Sequence, residues 1–60
     1  MDSVQEIKLI KSAIQSYEDA LARRTQITGE PLTNETRAFY EREIAHLKGK
    51  MAAILGAMPL

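Results

Sequence analysis

Two apolar stripes that mirror each other across a Gly-Pro break constrain this chain more than any other feature. Ahead of the break, Ile7, Ile10, Ile14, Tyr17 and Leu21 recur at alternating steps of three and four residues. That is the a/d rhythm of a helix that packs along one narrow side. Behind it, Tyr40, Ile44, Leu47, Met51, Ile54 and Met58 recur at the same alternating steps. If the chain turns back at the break, Leu21 meets Tyr40, and the pairing steps outward through Tyr17–Ile44, Ile14–Leu47, Ile10–Met51 and Ile7–Ile54 without a slip. Each a position then faces a d position, which is how antiparallel helices build layers.

The break itself is ITGEPLT, residues 27–33. Gly29 is the natural supplier of a left-handed exit from the first helix, and Pro31 forbids its continuation, so that helix is expected to stop near Thr25 to Thr28. Ser3 with Glu6 marks its start as a capping box. Thr33 or Asn34 is the expected N-cap of the second helix, with Glu35 at the positive end of its dipole. Gly49 interrupts that helix at an outward position, and Gly56 and Pro59 mark fraying toward its end. The fold predicted is therefore all-α: a single antiparallel, coiled-coil-like two-helix hairpin over residues 1–60, with helix 1 over 3–26, the bend at 27–33 and helix 2 over 34–57.

A chain of 60 residues with no cysteine has little core of its own and no disulfide or thiolate metal site to supplement it. Two packed helices bury one stripe each, so further burial has to come from outside the hairpin. The expectation is a homodimer that forms a four-helix bundle. Along one flank Val4 comes opposite Leu55, Lys11 opposite Lys48 and Glu18 opposite Glu41, like against like, and a two-fold partner would bring Lys toward Glu between chains. Leu9, Ala13, Ala20, Phe39 and Leu55 lie off the seam and are the candidate partner-binding residues. Ala13 and Ala20 are small enough for close helix approach.

Charge and composition exclude several functions. Eight basic and eight acidic side chains cancel, which removes the broad attraction that nucleic acid or an anionic membrane needs. The longest uncharged run, residues 51–60, is half the ~20 residues of a bilayer span, and the N-terminus carries Asp2 and Glu6 where a leader would be basic. A cytoplasmic protein is the expectation, and the absence of cysteine fits a reducing compartment. No activated nucleophile or phosphate loop is visible, so neither an enzyme nor a cofactor is expected.

Two pairs of residues carry other chemistry. Glu43 and His46 form the E-x-x-H step used by carboxylate-bridged di-metal bundles, but the inward positions beside them are Ile44 and Leu47, so no metal ligand is assigned and a metal-binding bundle stands as the less favoured alternative. Arg24 and Arg37 would form the layer beyond Leu21–Tyr40, where apolar residues would extend the seam. The seam should end there in a solvated tip, with an anion or acidic partner as a possible contact.

Two short stretches carry resemblances. PLTNETRAFYEREIAHL resembles, in layout, the small bacterial phosphatase regulators that present a bend followed by an S-Q-E-L-D signature. YEREIA keeps Glu43 and an aliphatic at Ile44, but has Ala45 where that family's Asp stands, so the resemblance implies a regulatory hairpin without that activity. EREIAHLKGKMAAIL is similar in its charge-then-apolar texture to the co-chaperones that hold type III secretion needle subunits, which implies a secretion or assembly subunit as partner. The function expected is a protein–protein interaction module, a regulator, inhibitor or adaptor that works through a helix face.

Overall fold

In the computed structural model, which describes residues 3–57, helix α1 spans Ser3–Arg23 and helix α2 spans Asn34–Ala57. The two pack against each other as a hairpin, and no β-strand is present among the described residues. Met58 and Pro59, expected to continue the seam and to end it, lie outside the described residues.

The mirrored stripes are the packed faces. Ile10, Ile14 and Tyr40 are buried, and Ile7, Tyr17, Leu21, Ile44, Leu47, Met51 and Ile54 are half-buried. Among the described residues only Ala20, which flanks the seam, is more deeply buried. The molecule measures 43 × 16 × 16 Å, and its radius of gyration is 13.3 Å, against roughly 10 Å for a compact chain of this length. It is a short rod with a seam and, among the described residues, no enclosed interior.

α1 ends earlier than the sequence suggests, and Gly29 is not what ends it. Arg24 takes the left-handed conformation, φ 59°. The Thr25 amide donates to the Ala20 carbonyl at 3.1 Å and the Arg24 amide to the Leu21 carbonyl at 3.2 Å. This is a Schellman cap with Arg24 in the place usually held by glycine, at a cost of about 1–2 kcal/mol for an L-residue.

Gly29 has a different task. The chain after the cap makes a miniature antiparallel ladder in which Thr25 pairs with Pro31. The Leu32 amide donates to the Arg24 carbonyl at 3.2 Å and the Gln26 amide to the Glu30 carbonyl at 2.7 Å. The Gly29 amide closes the tip onto the Gln26 carbonyl at 2.9 Å, with Gly29 at φ 96°. This is the three-residue turn with a left-handed glycine at its end. Pro31 fits because the Thr25–Pro31 pair lies between hydrogen-bonded pairs, where no amide is required.

Two devices fix this bend to α2. The Ile27 amide donates to the Tyr40 hydroxyl at 2.9 Å, so a buried ring of the seam also holds the loop. Thr33 is the N-cap: its Oγ1 accepts from the Thr36 amide at 3.1 Å and donates to the Thr36 Oγ1 at 2.8 Å. At the other end α1 begins at Ser3 itself, so Ser3 is helical and the cap position lies outside the described residues. Gly49 and Gly56 are both carried within α2.

Candidate interaction surface

The heptad positions that flank the seam are not equivalent. On one flank Ala20 is buried and Glu6, Ala13, Thr36 and Glu43 are half-buried, with Lys50 and Ala57 exposed toward the far end. On the other, Val4, Lys11, Glu18, Glu41, Lys48 and Leu55 are all exposed. The helices are thus more closely covered on the side carrying the small residues, as expected where alanine lets backbones approach.

This corrects the place of Ala20. It is only 5% exposed and is spent inside the hairpin, so it has no surface to offer a partner. Its carbonyl takes the Thr25 amide, and it shares a shallow recess with Thr25, Gln26 and Ile27, the segment that returns over it. Ala13, one heptad earlier, keeps partial exposure.

The remaining candidates divide between two faces. Leu9 and Phe39 occupy equivalent outer positions beside Ala13. Leu9 is 54% exposed, and the Phe39 ring, 44% exposed, is set edge-on to Tyr17 at a centroid distance of 6.5 Å. Tyr17 and Tyr40 are closer, at 5.0 Å, and Phe39 to Tyr40 is 6.1 Å. Phe39 is therefore part scaffold and part surface, an aromatic stack worth about 0.5–1.5 kcal/mol beyond its buried area. Leu55, 53% exposed, lies on the opposite flank with Val4. Ile27, 57% exposed at the tip of the bend, is a further apolar residue that periodicity does not single out, because it belongs to neither helix.

One ion pair within the chain crosses the like-charge rows of the Val4–Leu55 flank. Lys48 Nζ reaches Glu18 Oε2 diagonally at 3.7 Å, both side chains at least half exposed. The long side chains bridge an offset of seven residues between Lys48 and Glu41, the residue opposite Glu18, and such a surface pair contributes ~0–1 kcal/mol.

At the bend, Arg24 and Arg37 do not close the seam. With Leu21, Leu32 and Glu41 they line an open cleft of about 450 Å³. Arg37 Nη2 donates to Asn34 Oδ1 at 2.7 Å. Among the described residues neither guanidinium has a carboxylate within ion-pair distance. Leu32 was not singled out by the sequence pattern; its position just before the Thr33 cap is the signal that places it at the bend.

Glu43 is half-buried and His46 exposed. No group of three or more His, Asp or Glu side chains able to hold a metal ion converges among the described residues, and no described helix is long and apolar enough to cross a membrane. No protein-family model, curated protein or solved structure matches this chain.

Proposed function

We propose that this hairpin is a protein–protein interaction module, a regulator, inhibitor or adaptor, that pairs with a second copy as a four-helix bundle. One observation carries the reading: the chain exposes 4644 Å², whereas a folded monomer of 6.7 kDa is expected to expose about 3,900 Å². The excess is close to the roughly 800 Å² that one partner contributes to a standard interface. Apolar side chains are available to fill it, with Leu9, Ala13 and Phe39 on one flank and Leu55 on the other.

The Leu9–Ala13–Phe39 flank is the one assigned to the second copy, because its pattern is self-complementary. Phe39 lies level with Ala22 of α1, so the point midway between Leu9 and Phe39 falls between Gln15 and Ser16. An antiparallel two-fold axis passing near Ser16 and His46 sets Leu9 of each copy against Phe39 of the other. Leu55, with the solvated Lys and Glu rows beside it, is left for a foreign protein.

Because the chain has no cysteine, single-cysteine variants report this geometry directly. Sedimentation should give twice the monomer mass at micromolar concentration. Oxidised Ser16→Cys should form a covalent dimer, while Lys11→Cys on the other flank should not. A folded monomer would end the dimer reading, and crosslinking through Lys11→Cys alone would move the interface to the opposite flank.

A further inference from the structure

The geometry at the bend points to a second site: we propose that the cleft between Arg24 and Arg37 binds a carboxylate carried on an aliphatic stem. Its volume, about 450 Å³, is within the range of small-molecule sites. Its lining is of two kinds, half-buried Leu21 and Leu32 together with the exposed Arg24 and Arg37. A bare inorganic anion would satisfy the guanidiniums and leave the leucines wet, whereas an apolar group would do the reverse. An aliphatic carboxylate satisfies both.

The arginines are placed as an anion site requires. Both line the cleft beside Leu21, just past the last apolar layer of the seam. Neither has a carboxylate partner among the described residues. Glu41, which lines the same cleft, leaves a net positive charge there. Arg37 is aimed by its bond to Asn34 and keeps further donors in its planar fork, the geometry that matches a carboxylate. Arg24 stands in a left-handed conformation that glycine would adopt without strain.

The test is a titration of the whole protein followed by the arginine Nε–H signals. Hexanoate should produce saturable shifts at Arg24 and Arg37 and bind at least about tenfold tighter than acetate, since its longer stem covers the leucines. Hexanol should leave the guanidinium signals unmoved. Acetyl-Leu-Glu-Leu-amide distinguishes the source of the stem: a response at least equal to hexanoate's assigns it to a protein chain, and a weaker one to a free aliphatic acid.

Arg24→Gly should raise the melting temperature and yet abolish the hexanoate response, a combination that damage to the fold cannot produce. Arg37→Gln should weaken the response without melting the hairpin. The proposal is overturned if hexanoate gives no saturable shift, if inorganic phosphate matches it, or if Arg24→Gly binds it as the parent does.

Discussion

Replacing Arg24 with glycine should make this protein more stable, although it removes a large side chain. Arg24 sits at φ 59° in the cap that ends α1. An L-residue there costs about 1–2 kcal/mol relative to the right-handed region, and glycine is nearly free of that term. Against this, glycine gives the unfolded chain more freedom to lose, about 0.4–1 kcal/mol. The Arg24 side chain is exposed and without an ion-pair partner among the described residues, so its loss adds little. The net gain is about 0.5–1 kcal/mol, which for a chain of this length corresponds to a rise of roughly 4–8 °C in melting temperature. Thermal melts followed by circular dichroism should be run at equal protein concentration, because self-association would otherwise shift the midpoint. Arg24→Ala is the control: it removes the side chain and keeps the strain, so its midpoint should stay near that of the parent. A lower midpoint for Arg24→Gly, or an equal rise for Arg24→Ala, would show that the backbone term does not govern this cap.

Other substitutions probe the seam and the bend. Tyr40→Phe keeps the ring but removes the acceptor of the Ile27 amide; since that amide is only partly buried, chemical denaturation should register a loss of about 0.5–1.5 kcal/mol. Ile14→Asp puts a charge where the side chain is 7% exposed and should abolish the helical signal of α1 and α2 together. Ala20→Leu should lower the folding stability by about 1–3 kcal/mol through overpacking, whereas Leu9→Ala should leave the fold intact and reduce the sedimenting mass.

The hairpin was legible because its two stripes carry redundant information: many apolar residues at one spacing, mirrored about one break, admit one register. The cap of α2 was legible to within one residue, Thr33 or Asn34, because either side chain just ahead of a helical run can accept from a free amide, and Thr33 is the one that does. The end of α1 was not. Gly29 is the only residue in ITGEPLT that favours a left-handed conformation, and the small ladder from Thr25 to Pro31 claims it, leaving Arg24 to take the helix cap against its preference. Nor was Ala20 legible as interior, since alanine fits a close helix contact within one hairpin or between two, and periodicity does not distinguish them. The diagonal Lys48–Glu18 pair was missed because level-by-level facing ignores how far long side chains reach.

The stitching of the bend also bears on how two copies can join. Some helical hairpins exchange arms by straightening into one long rod, each copy lending half of itself to the other. Here that opening would break the Schellman cap, the ladder, and the Tyr40 tether in one stroke, and would require Pro31 to lie within a continuous helix. A molecule built this way would reach any assembly already bent, and would meet a partner with finished surfaces instead of trading segments.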